Sequence, residues 1–241
     1  MTTAVLFCHA HPDDETLATG ALIARLVADG VRCDLLTATR GEQGEVVPGS
    51  SSASQGSAEL ESVRRAELAA AVAALGLTSQ TFLGEPPARA DGLAPRRYHD
   101  SGMQWIGPGL AGPSDSADEF SFTAAPIEET VADLVAMIEA RQPDLVVSYA
   151  ADGGYGHPDH VRMHEVALAA ARSVGVRFAE IVPEPDPADP SVQWFVLDDQ
   201  LSVVQQALRC HATQLTVDGV EVVHVGGQRE PILTSVGLRE R

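Results

Sequence analysis

Two short apolar stretches, far apart in the chain, each end in a His-Pro-Asp turn that opens a helical pattern. The first covers residues 4–7 (AVLF), and the turn after it holds two histidines, two aspartates and a glutamate, ending at Glu15. The second covers residues 145–149 (LVVSY) and leads through a glycine-rich turn to residues 157–160 (HPDH). Short apolar runs bounded by turn residues are typical of buried strands. Since ligands of open α/β sheets bind outside the carboxyl ends of the strands, we predict that both turns belong to one site.

The rest of the chain also alternates between strand-like and helix-like segments. Apolar residues at helical spacing predict helices over 15–29, 59–75, 127–140, 159–173 and 198–212. Strands are predicted over 31–39, 80–83 and 192–197, with an edge strand at 220–225. Strands separated by single helices favour right-handed βαβ units and a parallel sheet. We therefore predict one α/β domain over 1–241, a Rossmann-like three-layer fold with a mostly parallel sheet.

Residues 84–126 interrupt this alternation and hold six prolines and six glycines without a sustained hydrophobic period. A span of this length without regular structure is uncommon in a compact domain and is usually functional or disordered. Its centre, residues 98–105 (YHDSGMQW), is rich in aromatic and hydrogen-bonding groups, which predicts an ordered binding loop. The tail after residue 219 offers no signal beyond the predicted edge strand.

The acidic composition argues against several classes of partner. The formal net charge is −18, and all 16 basic residues are arginine. Nucleic acids and anionic membranes bind positive patches, so neither is predicted as a partner, whereas a homo-oligomer stays open. No apolar stretch reaches the roughly 18 residues of a membrane helix, and the first strand leaves no room for a signal peptide, so we expect a cytoplasmic protein. The widely spaced Cys8, Cys33 and Cys210 predict free thiols.

The two His-Pro-Asp turns together offer the ligands of a catalytic metal site. Zinc binds nitrogen, oxygen or sulfur atoms, and its catalytic sites keep three protein ligands and one open position. His11 and Asp14 can point at one ion across their turn, and residues 157–160 can supply the third ligand. One carboxylate and one imidazole then remain for proton transfer and charge stabilisation, which metal-assisted hydrolysis requires.

Structural roles compete with this hypothesis. An aspartate of either turn could serve only as the N-cap of the helix that follows. His164 lies one helical turn after His160 and could be a rival ligand, although a surface or outer position is favoured because the turn already supplies enough ligands. Residues 153–156 lack the GxGxxG spacing, so a non-catalytic nucleotide-binding module is the weaker alternative. Three isolated histidines are expected to be partly buried and hydrogen-bonded: His99, His211 and His224.

These motifs resemble those of the PIG-L/LmbE family of zinc-dependent N-acetylglucosamine deacetylases. The resemblance rests first on residues 10–15 (AHPDDE) and 156–160 (GHPDH). Weaker likeness extends over residues 41–45, 64–67, 100–103 and 211–214. It is closest to the branch of the family in mycothiol biosynthesis, whose members remove acetate from N-acetylglucosaminyl-inositol. The resemblance implies a hydrolase that releases acetate and a free amino sugar from a small N-acetylated substrate.

The residues that match the family's metal ligands and general base are all present in this chain. The resemblance implies that His11, Asp14 and His160 bind Zn2+, and the same donor set would also accept Fe2+. It further implies that Asp13 is the general base, which takes a proton from the attacking water and later protonates the leaving amine.

The second turn matches the family's charge-stabilising groups. The resemblance implies that His157 stabilises the tetrahedral intermediate and that Asp159 orients it, while Tyr155 helps to polarise the acetyl carbonyl. Because an imidazole stabilises an oxyanion best as the cation, we expect His157 to be protonated and to set the alkaline limb of the pH profile.

Three further residues match positions that face the sugar and its aglycone: Arg64, Asp100 and Glu45. Two departures concern the aglycone: residues 84–100 form a longer segment than in close relatives, and the chain after residue 219 is shorter and unlike theirs. The same core also serves amidases of mycothiol conjugates and deacetylases that tailor secondary metabolites, which are the alternatives within the enzyme class.

Overall fold

A computed structural model describes residues 2–184 and 189–241 of the chain. Its strands are β1 (Ala4–His9), β2 (Arg32–Thr37), β3 (Ser79–Phe82), β4 (Met103–Gly107), β5 (Leu110–Pro113), β6 (Leu145–Ser148), β7 (Arg177–Val182), β8 (Val192–Val196), β9 (Leu215–Asp218), β10 (Glu221–His224), β11 (Arg229–Pro231) and β12 (Ser235–Glu240). Its helices are α1 (Asp14–Ala28), α2 (Ala58–Leu75), α3 (Ile127–Arg141), α4 (Gly153–Gly156), α5 (Pro158–Val174) and α6 (Leu201–Leu208). Short 3₁₀ helices lie at Phe122–Ala124 and Asp198–Gln200.

The central sheet has seven strands in the order β3-β2-β1-β6-β7-β12-β8. Strands β3, β2, β1, β6 and β7 run parallel to one another, and β12 is antiparallel to both of its neighbours. The predicted mostly parallel α/β sheet is therefore confirmed. The chain leaves β1 toward β2 on one side and reaches β6 on the other, so the strand order reverses between β1 and β6. Such a reversal opens a crevice at the carboxyl ends of the two strands.

Two apolar clusters cover the two faces of this sheet. Because successive strand residues point to opposite faces, β1 contributes Val5 and Phe7 to one cluster and Leu6 and Cys8 to the other. Helices α1, α2 and α6 pack on the first face, and α3 and α5 pack on the second. All six residues of β1 are buried, as expected for a central strand covered on both faces.

In the carboxyl-terminal part, the strand predicted over 192–197 is present as β8, but other predictions are wrong. The stretch predicted as an edge strand at 220–225 contains β10, which is the middle strand of a three-stranded sheet in the order β11-β10-β9. Strand β12 carries no clear signal in the sequence, yet it lies inside the main sheet between β7 and β8. The helix predicted over 198–212 begins as a 3₁₀ turn, and its α-helical part is only α6.

Residues 84–126 form an ordered segment, as the sequence predicts. They include the antiparallel hairpin of β4 and β5, and the buried Tyr98 donates a hydrogen bond of 2.8 Å to Asp133 of α3. Arg89 reaches the same carboxylate at 2.9 Å. These contacts tie the segment to the second face of the sheet. Among the helices of the described residues, none is long and apolar enough to cross a membrane.

Candidate active site

Both His-Pro-Asp turns lie side by side at the carboxyl edge of the sheet. Residues 5–7 of β1 pair in register with residues 145–147 of β6, so the turns that follow these strands emerge next to each other. The first turn leads directly into α1, and the second passes through α4 into α5. The register of two neighbouring strands therefore brings the two turns together, as the sequence predicts.

The three predicted metal ligands converge in this crevice. Nδ1 of His11 lies 3.3 Å from Oδ2 of Asp14, and Nε2 of His160 lies 3.4 Å from the other oxygen of Asp14. The rings of His11 and His160 are 5.3 Å apart between centroids. Two nitrogens and a carboxylate in this arrangement are a donor set that suits zinc.

The hydrogen bonds around these residues leave the right atoms free for a metal. Nε2 of His11 donates to Asp159 at 3.1 Å, and Nδ1 of His160 donates to the carbonyl oxygen of Gly153 at 3.2 Å. In the neutral rings the facing nitrogens, Nδ1 of His11 and Nε2 of His160, carry the lone pairs, and histidines bind a metal in this deprotonated form. Metal-ligating histidines are oriented by bonds of this kind from the opposite ring nitrogen. Nε2 of His160 is buried and has no hydrogen-bond partner among the described residues, which fits a ligand whose partner is an ion.

Other donor atoms also lie close together, but their bonds assign them elsewhere. Donor atoms of His11, His157 and His160 lie within 4.8 Å of one another, as do those of His11, Asp100 and Asp159. The carboxylates of the latter set face Nε2 of His11, which is the proton-bearing nitrogen. In the set with three histidines, Nδ1 of His157 accepts the backbone N–H of Asp159, so neither of its nitrogens is free for a metal. The set of His11, Asp14 and His160 is therefore favoured.

Charges within the ligand set stabilise one another. Burial lowers the pKa of His11, but the carboxylates of Asp100, Asp14 and Asp159 outweigh it and raise that pKa well above its usual value. Burial likewise raises the pKa of Asp14, but His160 and His11 outweigh it and hold that pKa well below the ordinary range. The Asp14 carboxylate is further fixed by Tyr149, whose hydroxyl donates to it at 2.7 Å.

Asp13 occupies a strained backbone position, and its carboxylate does not cap the helix that follows. Its φ of 98° lies in the left-handed region that non-glycine residues rarely adopt, and such positions cluster at functional sites. It stands at the N-terminus of α1 but makes no capping bond with its side chain, so the alternative of a mere N-cap fails for Asp13. Burial, and next the neighbouring Asp14, raise the pKa of Asp13 to about 7. A carboxyl group with such a pKa is suited to proton transfer near neutral pH.

His157 caps α5 and is held as a neutral ring. Its Nδ1 accepts a hydrogen bond of 3.2 Å from the backbone N–H of Asp159, so the ring proton lies on Nε2. Burial, followed by the nearby His11 and His160, lowers the pKa of His157 to about 2. The expectation of a cationic His157 is therefore wrong, because the ring is desolvated among other imidazoles.

The resemblance implies that Asp159 orients His157, but the carboxylate of Asp159 is bonded to other groups. Its carboxylate instead accepts from Nε2 of His11 and from both the backbone N–H and the hydroxyl of Ser101, at 2.9 and 2.5 Å. As the second residue of α5, it points across the crevice toward the first turn. Asp159 thus orients the metal ligand His11, and only its backbone holds His157.

Comparison with protein-family models gives one match over residues 6–171, to PIG-L, described as GlcNAc-PI de-N-acetylase. The match spans more than half of the chain. The chain belongs to the PIG-L family.

Curated relatives of this PIG-L protein carry one recurrent name. The protein of Kineococcus radiotolerans named 1D-myo-inositol 2-acetamido-2-deoxy-alpha-D-glucopyranoside deacetylase is 39% identical, over 89% of this chain and 69% of its own length. A relative of the same name from Actinosynnema mirum is 36% identical over 95% of this chain and 88% of its own. Across eight curated relatives of this name, the chain spans from 52% to 88% of their length. The crystal structure of the zinc-inhibited form of a teicoplanin deacetylase shares the fold, with a TM-score of 0.59 and 20% identity over 87% of this chain and 84% of its own.

A buried ion pair between His211 and Glu15 stabilises the backbone of the strained turn at Asp13. Nε2 of His211 donates to Glu15 at 2.9 Å, and both side chains are fully buried. The other oxygen of Glu15 accepts the backbone N–H of Asp13 at 3.0 Å. Burial opposes both charges, but Glu15 raises the pKa of His211, and His211 lowers that of Glu15. His211, expected only as a hydrogen-bonded histidine, therefore helps to hold the backbone of the predicted base.

The predicted substrate-binding residues differ in how far they face the crevice. Arg64 is 2% exposed, and its guanidinium donates to the backbone carbonyls of Gly41, Gly44 and Glu45, so in this structure it fixes the loop at 41–45. Asp100 is 5% exposed and lies 3.6 Å from Nε2 of His11. Burial opposes the ionised form of Asp100, but His11 outweighs it and lowers the pKa of this carboxyl. Glu45 is exposed at the surface of its loop.

Tyr155 lies at the mouth of the crevice, and His164 lies behind it. The Tyr155 side chain is 39% exposed, and its ring centroid is 6.0 Å from that of His157. Nδ1 of His164 donates to the backbone carbonyl of Tyr149 at 2.8 Å, which agrees with an outer position. Tyr149 and Ser101 also contact the site, and the sequence did not reveal either of them. For Tyr149 a signal was present, because it ends an apolar run at a carboxyl strand end.

Proposed function

We propose that this PIG-L family protein is a zinc-dependent N-deacetylase of an N-acetylglucosaminyl-inositol-like substrate, releasing acetate and the free amino sugar. Residues 1–241 would act as one catalytic domain. The observation that carries the proposal is Nε2 of His160, which is buried, has no hydrogen-bond partner among the described residues and faces Asp14. Asp13, whose side chain makes no capping bond, is the next residue to this ligand. The shared name of the curated relatives supports the choice of substrate.

Each residue of the crevice has a separate role in this reaction. His11, Asp14 and His160 would hold the zinc ion, which when bound polarises the acetyl carbonyl and makes water a stronger acid. Asp13 takes the proton of the attacking water, because its carboxylate is next to the site and its raised pKa makes it an effective base. The same carboxyl group then protonates the leaving amine.

Charge that develops on the carbonyl oxygen is stabilised by neutral donors. His157 presents Nε2–H, because its other nitrogen is occupied by the N–H of Asp159. Donors fixed in this way before reaction are effective because they need no reorganisation as the charge develops. The Tyr155 hydroxyl would be the second donor, and Asp100 and Glu45 would bind hydroxyl groups of the sugar and its aglycone. Arg64 would act through the loop that it holds.

Zinc content and deacetylation test the proposal together. The protein is purified, its metals are measured by elemental analysis, and free amine is measured after incubation with N-acetylglucosaminyl-inositol, free N-acetylglucosamine and N-acetylated secondary metabolites. We expect about one zinc per chain and preferential release of amine from the inositol glycoside. Preference for a secondary metabolite would instead favour a tailoring deacetylase, and a metal-free, inactive protein would favour a nucleotide-binding module.

Variants of the two turns separate metal binding from catalysis. His160→Ala should lose zinc, because a ligand cannot be replaced from a rigid turn, whereas Asp13→Asn should retain zinc and lose activity. His164→Gln is the matched control, since it removes a buried histidine of the same helix that bonds to a backbone carbonyl. Loss of zinc from Asp13→Asn would show that the two aspartates exchange roles.

A further inference from the structure

The hairpin of β4 and β5 forms an apolar rim beside the crevice. Trp105 is 56% exposed, Ile106 is 60% exposed and Leu110 is 48% exposed. Residues 103–113 contain no charged side chain, although 21% of the whole chain is charged. An uncharged, exposed apolar segment on so acidic a protein indicates a surface that meets a ligand or partner.

The hairpin is attached to the second His-Pro-Asp turn at two points. A Cβ on Gly156 would lie 2.8 Å from the carbonyl oxygen of Ala111, and the φ of Gly156 is 85°, so only glycine permits this contact. At the base of the hairpin, Ser101 donates two hydrogen bonds to Asp159. The rim is thus held in a fixed position relative to the candidate ligands.

Aromatic rings connect the rim with the crevice. The ring centroids of Trp105 and Tyr155 are 5.9 Å apart at an interplanar angle of 35°. The Tyr155 ring is in turn 5.2 Å from the ring of His160. A substrate whose acetyl group lies at the histidines would therefore pass Tyr155 and extend along the indole of Trp105.

We propose that Trp105, with Tyr155 and Leu110, forms a subsite for the group attached to the amino sugar, and that this group is a ring with a flat apolar face. The proposal rests on the deacetylase function proposed above and specifies its substrate class. An exposed indole gains most from a flat partner, because stacking removes apolar surface of both groups from water. The absence of charge along residues 103–113 disfavours a charged group at this place.

Glycosides that differ only in the group on the sugar test this subsite. The methyl, cyclohexyl and 4-methylumbelliferyl glycosides of N-acetylglucosamine are compared by kcat/KM with the zinc-loaded enzyme. We expect both ring glycosides to exceed the methyl glycoside by about ten-fold, which corresponds to about 1.4 kcal/mol. Trp105→Ala should abolish this preference, and Trp105→Phe should retain most of it. Ile106→Ala is the matched control, because it also removes exposed apolar surface of the hairpin. The Ile106 side chain lies over Gly112, so this variant should retain the preference.

Binding of the deacetylated products gives a readout that does not depend on the reaction. Calorimetric titration with the methyl and 4-methylumbelliferyl glucosaminides should show about ten-fold tighter binding of the latter, which Trp105→Ala removes. Equal kcat/KM for the three substrates together with equal product binding would overturn the subsite and leave the deacetylase intact. A preference that persists in Trp105→Ala would also overturn it. If none of the glycosides is hydrolysed but binding still depends on Trp105, the reaction is wrong and the subsite stands.

Discussion

Replacement of His211 by alanine should destabilise the protein through the carboxylate that it leaves behind. Glu15 would keep its bonds from the Asp13 backbone and the Thr16 hydroxyl but lose the N–H of His211 at 2.9 Å, while remaining fully buried. Breaking a buried ion pair by removal of one partner typically costs about 3–5 kcal/mol. We expect a loss of this size in the free energy of unfolding, measured from urea denaturation at constant slope.

A second buried histidine provides the control for this prediction. His9 is also fully buried, but it bonds to the neutral hydroxyl of Thr19 at 2.9 Å, and burial lowers its pKa to about 4. His9→Ala leaves a cavity of similar size and breaks one neutral hydrogen bond, which is worth about 1 kcal/mol. The His211 variant should therefore be less stable than the His9 variant by about 2 kcal/mol or more. Equal losses would refute the view that His211 and Glu15 form a charged pair.

The charge itself can be removed to complete the test. Glu15→Gln in the His211→Ala background should recover part of the lost stability, because a buried neutral amide costs less than an unpaired carboxylate. The amide oxygen can still accept the N–H of Asp13. We also expect His211→Ala to lower kcat with zinc content unchanged, because the backbone of Asp13 loses its support while the ligands do not. A double variant less stable than His211→Ala alone would contradict this account.

Two further predictions concern the catalytic and substrate groups. His157→Asn should retain the cap of α5 but lose the Nε2–H donor, so kcat should fall by about 10²–10³. Because the pKa of His157 is lowered to about 2, its ring stays neutral throughout the assay range. The alkaline limb of the pH profile should therefore be unchanged in this variant. Disappearance of that limb would show that His157 acts as a cation. Asp100→Asn should raise KM with zinc content intact, measured with the inositol glycoside, and an unchanged KM would remove Asp100 from substrate binding.

Much of the fold and the candidate site could be predicted because the relevant signals are local. Each His-Pro-Asp turn follows an apolar strand and opens an amphipathic helix, so the sequence alone places both at carboxyl strand ends. Parallel strands share that edge, and the two turns were therefore expected to meet. The strongly apolar β1 and β6 also make the parallel sheet predictable, since strands covered on both faces read as continuous apolar runs.

The protonation and orientation of the second turn could not be predicted in this way. Whether the Asp159 carboxylate contacts His157 or His11 depends on the side of α5 that it occupies. This side is fixed by Ser101, which precedes β4 and is far away in the sequence. The charge of His157 depends on its neighbours His11 and His160 and on its burial. These are properties of packing between distant segments, and no spacing within the turn reveals them.

The carboxyl-terminal strand illustrates the same limit for the fold. Strand β12 is antiparallel to β7 and β8 and completes the sheet between them, although its sequence SVGLRE has only a short apolar pattern. Its Gly237 lies against the ring of Trp194, where a Cβ would be 2.8 Å from that ring. Partners rather than propensity thus determine that these residues are a strand. The candidate ligands are distributed in the same way between a turn after β1 and a helix after β6, so a metal bound to all three would favour the folded arrangement of both halves of the sheet over the unfolded chain.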